Sequence, residues 1–435
     1  MVRFVTSALL AALSASAVLA QNAAQCSPSQ KCPADKPCCS QYGECGTGAY
    51  CLGGCDPLSS HSLDSCVPNP ICESKHYTWD NLDNVQPNTK YLGDASKADW
   101  VSSGQPLTND GSLLLTMAPN TVGTLLANNH YMWYGKVSAK LKSSRGKGVV
   151  TAFILLSDVK DEIDYEFVGS DLGNAQTNYY FQGITNYNNG GKEPVSDTFD
   201  NWHTYEIDWK PDSITWSIDG EVKRVKKKEE TWNATANRYE FPQTPARVQL
   251  SLWPAGIPSN AEGTIEWAGG LIDWNSDDIK QHGYYYATFS DITMECYDPP
   301  SGANVQGSKS YIYTDYAGTN NTVEITDKPT VLKSLLGTGT NMSADYPHSS
   351  GSSNPGDSTV PGVKGGVGGD AQRGGSGTQG GSGSGSSTSS GSGSTTTGWS
   401  QDGGSTDSGA PSQNERVLKG SLFAVLVAVV VLVSM

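Results

Sequence analysis

Between residues 76 and 300 the chain is a succession of short β-prone runs, and this pattern constrains its fold more than any other feature. Gly, Asn, Asp and Pro separate the runs, and long helical stripes are scarce. The predicted strands are Gly135 to Leu141, Val149 to Leu156, Glu162 to Val168, Thr177 to Gln182, His203 to Trp209, Ile214 to Ile218, Val248 to Trp253 and Tyr285 to Cys296. We therefore expect an all-β domain, an antiparallel two-sheet jelly-roll sandwich whose concave sheet can cradle an extended polymer.

One predicted strand carries three carboxylates on a single face. Glu162, Asp164 and Glu166 alternate with apolar or aromatic residues, and successive side chains of a strand point to opposite faces. Like charges side by side repel each other, so a strand that keeps three of them is typical of a functional site. An exposed acidic strand face is the alternative, and the strict alternation after an apolar run counts against it.

This acidic triad suits the cleavage of a glycosidic bond. A retaining glycosidase needs a carboxylate nucleophile and a carboxylic acid that protonates the leaving oxygen, about 5 to 5.5 Å apart. A strand rise of about 3.3 Å per residue separates the Cα atoms of Glu162 and Glu166 by about 13 Å, and two glutamate side chains can close most of that gap. Asp164 between them can share a hydrogen bond or a proton and help to keep one neighbour protonated near neutral pH.

Composition directs attention to a polysaccharide partner. The formal net charge of -15 repels phosphate backbones, so no nucleic-acid partner is expected. The 11 Trp and 20 Tyr provide rings that can stack on sugar faces. The six His show no metal-ligand spacing, and we expect a monomer that needs no metal and no cofactor.

Nine of the ten cysteines lie between Cys26 and Cys72. In a secreted chain this density predicts a small disulfide-stabilised module, assigned to residues 21–72. A zinc module is the alternative, and a secretory route that oxidises thiols disfavours it. The region contains the run Cys38-Cys39-Ser40-Gln41-Tyr42-Gly43-Glu44-Cys45-Gly46, followed by Tyr50-Cys51. Over roughly residues 26 to 66 it resembles the hevein-type chitin-binding module, carbohydrate-binding module family 18.

The hevein resemblance implies both a sugar site and a disulfide pattern. Ser40, Tyr42 and Tyr50 would hold an N-acetylglucosamine ring by a hydroxyl hydrogen bond and by stacking. Glu44 replaces a second stacking aromatic, which removes a contact worth roughly 0.5 to 1.5 kcal/mol and weakens the expected chitin binding. The family pairs would be Cys26 with Cys39, Cys32 with Cys45, Cys38 with Cys51, and Cys55 with Cys66.

That pairing leaves Cys72 and Cys296, one at each end of the β-rich region. The first and last strands of a sandwich commonly lie near each other. We therefore expect a disulfide between these two cysteines.

Four stretches of the β-rich region carry a second resemblance. They are Asp161-Glu162-Ile163-Asp164-Tyr165-Glu166-Phe167-Val168-Gly169, Gln176-Thr177-Asn178-Tyr179-Tyr180-Phe181-Gln182-Gly183, and the segments His203 to Trp209 and Ile214 to Gly220. Together they resemble glycoside hydrolase family 16 and, within it, the fungal Crh branch of cell-wall transglycosylases, over roughly residues 75 to 300.

The family 16 resemblance assigns roles to residues. Glu162 would be the nucleophile, Asp164 the assisting carboxylate, and Glu166 the general acid/base and a substrate contact. The remaining substrate-binding positions would be Tyr179, Arg247, Gln249, Trp253 and Thr264. Such an enzyme cleaves chitin, its donor, holds it as a glycosyl-enzyme and passes it to a β-1,6- or β-1,3-glucan acceptor, which cross-links two wall polymers.

Both ends of the chain carry targeting signals. Residues 1–20 have the layout of a signal peptide, with a membrane anchor as the alternative. Small residues, a polar spacer and the apolar run Leu422 to Val433 predict a GPI-anchor signal, residues 409–435. Ser408 is the expected attachment residue, with Asp407 and Gly409 as alternatives. A genuine transmembrane tail anchor is the alternative to the GPI-anchor signal.

Residues 73–300 are assigned to the catalytic domain and residues 301–408 to a stalk, because the tract Gly374 to Gly398 contains only Gly, Ser, Thr and Gln. Sequons at Asn233, Asn320 and Asn341 agree with a secreted, glycosylated chain. A secreted protein, GPI-anchored at the plasma membrane and cell wall, is the expected outcome.

Two other functions stay open from the sequence. A hydrolase with the same triad would pass the intermediate to water instead of a sugar hydroxyl, and the triad does not separate the two. A wall-binding glycoprotein would hold glycan in the groove without catalysis, and the intact row of three carboxylates counts against it.

Overall fold

The computed structural model describes residues 24–346. The predicted signal peptide, the tract Gly374 to Gly398, Ser408 and residues 409–435 lie outside this range. The elements are β1 (Cys38–Cys39), β2 (Cys45–Gly46), β3 (Asn69–Pro70), β4 (Lys75–Tyr77), β5 (Val85–Pro87), β6 (Trp100–Ser103), β7 (Pro106–Asn109), β8 (Ser112–Met117), β9 (Thr124–Met132), β10 (Gly135–Lys142), β11 (Val149–Ser157), β12 (Glu162–Val168), β13 (Asn174–Tyr180), β14 (Gly191–Pro194), β15 (His203–Trp209), β16 (Ser213–Ile218), β17 (Glu221–Lys227), β18 (Trp232–Asn233), β19 (Arg238–Tyr239), β20 (Ala246–Pro254), α1 (Glu262–Trp267), α2 (Asp277–His282), β21 (Tyr285–Cys296), β22 (Asn304–Val305), β23 (Ser310–Tyr313) and β24 (Val323–Thr326).

Two eight-stranded sheets form a sandwich, which confirms the predicted fold class. One sheet, here called the groove sheet, has the order β14-β13-β12-β11-β20-β9-β6-β5. The other, the outer sheet, has the order β17-β16-β15-β10-β21-β8-β7, with β4 also paired to β21. Their pairs are antiparallel except for β5 with β6.

Strand alternation builds the core between the sheets. In β12 the odd-numbered Ile163, Tyr165 and Phe167 point inward and join one large cluster with residues of the outer sheet such as Tyr205 and Trp216. Ring contacts across the sandwich bring the centroids of Tyr165 and Tyr205 to 5.2 Å. The even-numbered residues of β12, the acidic triad, are therefore left on the opposite face.

Two hydrogen bonds cross the sandwich and fix β12 in position. The Trp216 indole N–H donates to the backbone carbonyl of Asp164 at 3.0 Å. The Tyr165 hydroxyl donates to the Ser217 carbonyl at 2.9 Å. Both bonds are buried, so the strand that carries the acidic triad is held by the core itself.

Residues 301–346 are folded, so the predicted start of the stalk at residue 301 is wrong. Strands β22, β24 and β23 form a small sheet with β3, which precedes the catalytic domain in the chain. Tyr311 and Ile325 from this sheet join the main core. Farther along, Leu332 packs with Tyr50 of the N-terminal module, and the Gly48 N–H donates to the Gly337 carbonyl at 2.8 Å. The C-terminal segment thus packs against both parts of the molecule.

All ten cysteines are paired. The four bridges of the N-terminal module are Cys26–Cys39, Cys32–Cys45, Cys38–Cys51 and Cys55–Cys66, the pairs that the hevein resemblance implies. Cys72–Cys296 joins the chain just before β4 to the end of β21, as sandwich geometry predicts. Among residues 24–346, no helix has the length and apolar character needed to cross a membrane.

Candidate active site

The acidic triad lies on the outward face of the groove sheet, flanked on both sides by paired strands. Glu162 and Asp164 are buried, whereas Glu166 is partly exposed. On one side, Glu162, Asp164 and Glu166 face Tyr180, Asn178 and Gln176 of β13. On the other side they face Leu156, Ile154 and Ala152 of β11, which form a separate apolar cluster. The carboxylates thus stand between a polar strand and an apolar one.

Aromatic rings form one wall of this site. Trp253 of β20 and Trp267 of α1 stack with a centroid distance of 6.1 Å and an interplanar angle of 25°. The Trp267 indole N–H donates to Gln176 Oε1 at 2.9 Å, which ties this wall to β13. The cleft has a volume of about 370 Å³. Its lining includes the acidic triad, Gln176, Asn178, Tyr180, Tyr187, Lys192, Trp253, Thr264 and Trp267.

A buried carboxyl just before β12 holds three segments together. Asp161 accepts hydrogen bonds from the backbone N–H groups of Gln182, Gln243 and Thr244 and from the Thr244 hydroxyl. Burial raises the pKa of Asp161 to about 6, although these hydrogen bonds oppose the rise. This arrangement fixes the end of β12 at which Glu162 lies.

The substrate-binding residues implied by the family resemblance fall into three groups. Trp253 and Thr264 line the cleft beside the triad. Arg247 and Gln249 lie on β20, in register with Leu156 and Ile154 of β11, and are therefore two strands away from Glu162 and Asp164. They are only 7% and 1% exposed, because the N-terminal module covers them.

Tyr179 does not line the cleft, contrary to the sequence expectation. It faces Ile163 across the β12–β13 pair and belongs to the main core. Desolvation raises its pKa, and Lys226 Nζ lies 6.0 Å from its ring centroid. The adjacent Tyr180 lies on the groove face instead and accepts a 2.6 Å hydrogen bond from Asn178 Nδ2.

Other residues in the cleft were missed by the sequence analysis. Gln176, Asn178 and Tyr180 share a strand face, so the alternation of β13 was an available signal. Tyr187 lies in a 3-10 turn and Trp267 on the short helix α1, and both reach the cleft through loop geometry. No periodic pattern marks residues of that kind.

The sugar-binding residues expected on the module are not on a free surface. Ser40 is 3% exposed and Tyr50 is 2% exposed. Tyr50 packs with Leu52, Val67 and Leu332. Tyr42 packs against the cluster that contains Trp253.

The three sequons lie in the described part of the chain. Asn341 is exposed, and Asn233 and Asn320 are partly exposed. Their occupancy stays a prediction.

Comparisons with known proteins agree with this geometry. The family model of glycosyl hydrolases family 16 matches residues 94–269. Crh-like protein 2 of Aspergillus fumigatus is 62% identical over the full length of both chains. Congo red hypersensitive protein 2 of Saccharomyces cerevisiae is 48% identical over 72% of this chain and 68% of its own. A solved structure of a Crh5 transglycosylase in complex with NAG is 32% identical with a TM-score of 0.50, and the match covers 62% of this chain and 99% of that one.

Proposed function

Because this chain belongs to the Crh-like proteins of glycosyl hydrolases family 16, we propose that it is a retaining transglycosylase that moves chitin onto β-glucan. The observation that carries the proposal is the row Glu162, Asp164 and Glu166 on the groove sheet, bordered by the stacked Trp253 and Trp267. A row of carboxylates beside ring faces has the parts that bind a sugar chain and cleave it.

The first step forms a glycosyl-enzyme. A Glu162 carboxylate oxygen attacks the anomeric carbon of a chitin unit, and the glycosidic bond breaks as protonated Glu166 gives its proton to the leaving oxygen. Asp164 lies between the two residues on the same strand face, with its backbone carbonyl held by Trp216. Its negative charge disfavours ionisation of its neighbours and so helps to keep Glu166 protonated.

The second step transfers the chain. Glu166, now a carboxylate, accepts the proton of an acceptor hydroxyl while that oxygen attacks the anomeric carbon and Glu162 leaves. Water and a glucan hydroxyl compete for this step. Rings that hold the acceptor give its hydroxyl a high effective molarity, and Trp253, Trp267, Tyr180 and Tyr187 border the cleft. Transfer is therefore favoured over hydrolysis.

The remaining parts of the proposal concern location. The expected signal peptide and GPI signal would place the protein at the plasma membrane and in the cell wall. Both proposed substrates, chitin and β-glucan, are wall polymers, and the proposed partners are these two polysaccharides and the GPI lipid. The Crh-like relatives agree with a secreted cell-wall protein.

Product sizing tests the proposal. The full chain, made through a secretory route, is incubated with chitin oligomers and a fluorescent β-glucan oligosaccharide. Longer labelled hybrids are expected. Shortened chitin without labelled hybrids would identify a hydrolase, and unchanged sugars would leave a glycan-binding protein.

A pair of variants tests the assignment of the nucleophile. Glu162→Gln keeps the side-chain shape and should lower turnover about 10³-fold or more while chitin binding persists. Glu229→Gln changes an exposed glutamate outside the cleft and should leave turnover unchanged. Undiminished turnover in Glu162→Gln would refute the role of this residue.

A further inference from the structure

Two surfaces that were each expected to bind sugar face one another. The loop Ser40–Tyr42 of the N-terminal module lies on β20 of the groove sheet. Gln41 Oε1 accepts a 2.8 Å hydrogen bond from Arg247 Nη2 and a 3.2 Å hydrogen bond from Gln249 Nε2. The loop thus occupies the hydrogen-bonding groups that a sugar chain would meet there.

The module is anchored to this position by a buried carboxylate. Asp158 Oδ1 accepts hydrogen bonds from the Gly54 N–H at 3.0 Å and the Tyr131 hydroxyl at 2.6 Å. Asp158 Oδ2 accepts from Asn69 Nδ2, also at 2.6 Å. Gly54 and Asn69 belong to the module and Tyr131 to β9, so one carboxylate connects the two parts.

Backbone contacts bring the module still closer to Arg247. A Cβ atom on Gly53 would lie 2.6 Å from Arg247 Nη1, and one on Gly54 would lie 2.5 Å from Nη2. Side chains at these positions would therefore collide with the guanidinium. Contacts this close, together with the hydrogen bonds from Gly54 and Asn69 to Asp158, favour a fixed position of the module over a moving lid.

Register locates the loop relative to the chemistry. Arg247 is in line with Glu162 and Gln249 is in line with Asp164, with only β11 between them. Two strand spacings, about 10 Å, thus separate β12 from β20, the strand that the loop covers. Tyr42 packs on the cluster around Trp253, farther along the same strand. The loop consequently covers the outward face of β20 at the positions in register with Glu162 and Asp164.

We propose that the loop Ser40–Tyr42 is the end wall of the saccharide groove and sets how many sugar units fit on the β20 side of the acidic triad. This inference rests on the proposed function and deepens it, since it assigns chain-length selection to the module. Arg247 Nε is buried behind the loop and has no hydrogen-bond partner among residues 24–346, so removal of the Gln41 side chain would give a sugar oxygen access to an unused donor. The module is then part of the groove and not a separate chitin tether.

Opening the wall tests the inference. Gln41→Ala removes the side chain that covers Arg247 and Gln249. With chitin oligomers of defined length, the ratio of turnover on longer to shorter donors should rise about tenfold, and the cleavage position should move by at least one unit. Gln41→Glu keeps the acceptor oxygens and should keep the wild-type products. Gln30→Ala, on the exposed part of the same module, is the matched control.

The outcomes separate the wall from the proposed reaction. If the Gln41→Ala chain gives the same products as the wild type, the proposed wall is refuted. If the wild type turns over no chitin, the reaction fails, and binding of the oligomer series to the Glu162→Gln and Glu162→Gln/Gln41→Ala chains still tests the wall. The wall is supported if affinity stops rising at a longer oligomer in the double variant than in the Glu162→Gln chain. It is refuted if affinity stops rising at the same oligomer length in both. If the Gln41→Ala chain is not secreted, Gln41→Asn is used in its place, because this change shortens the side chain by one methylene and withdraws the amide from Arg247.

Discussion

The two halves of the groove sheet have the same alternation of side chains, but one lines a cleft and the other is covered by the N-terminal module. Along β12 to β14, the outward face opens into the cleft that contains the acidic triad, and Tyr187 there is exposed. Along β20, the outward face carries Arg247 and Gln249, and Gln41 of the N-terminal module seals them from solvent. A strand pattern decides which face a residue occupies, whereas a second packing partner decides whether that face can meet a substrate.

The difference also separates two uses of a carboxylate. On the open half, three carboxylates share one strand face and are available to a sugar chain. Under the covered half, Asp158 is surrounded by donors and joins two parts of the molecule. The first set serves chemistry and the second serves assembly, so changes in each should affect different measurements.

The largest expected effect concerns the open half. Glu166→Gln removes the proton donor, so turnover of natural chitin oligomers should fall about 10³-fold. An aryl glycoside donor with an acidic phenol as leaving group needs no protonation, so formation of the glycosyl-enzyme from it should be much less impaired. A burst of released phenol measures that step.

Glu162→Gln is the control for this measurement, because loss of the nucleophile should abolish both the phenol burst from the aryl donor and the turnover of the natural donor. Equal impairment of both donors in Glu166→Gln would contradict its role as general acid.

Much of the open half could be predicted from the sequence. Strands β12, β15 and β21 begin and end at the predicted residues, and β10, β11, β16 and β20 differ only at their ends. Alternation alone placed the acidic triad on one face. The family resemblance supplied the roles of these residues, which spacing does not contain.

The covered half was not predictable in the same way. Ser40, Tyr50 and Arg247 were identified one at a time as sugar contacts, but nothing in local sequence shows that the two surfaces pack on each other. Tyr179 was misassigned because two adjacent tyrosines share a motif and only strand phase separates them. Residues 301–346 contain only short strands, and β23, the strand that pairs with β3, lies more than 200 residues from it in the chain.

A second, smaller effect should appear in the pH dependence of stability. Burial raises the pKa of Asp158 from 3.8 to about 6, so the folded state holds a proton that the unfolded state releases. The free energy of unfolding should therefore decrease as the pH rises from about 4 through 6, by roughly 3 kcal/mol for a shift of about two units.

Asp158→Asn does not titrate and should lose this part of the pH dependence. Denaturant unfolding of both chains at pH 4, 5, 6 and 7 measures the difference, to which Asp161 contributes equally in both. Parallel stability curves would contradict the raised pKa. A decrease toward acid in the wild type relative to the variant would reverse the assigned sign.

The smallest expected effects compare the two adjacent tyrosines. Tyr179→Phe removes a hydroxyl on the core side of β13 and should leave the kcat/KM for chitin transfer unchanged. Tyr180→Phe removes the acceptor of the 2.6 Å hydrogen bond from Asn178 Nδ2, which borders the cleft, and should lower kcat/KM by about fivefold. Kinetics on the same oligomer, with thermal unfolding as a check on folding, distinguish the two variants. A larger activity loss in Tyr179→Phe would restore Tyr179 to the substrate site and reverse the assigned phase of β13.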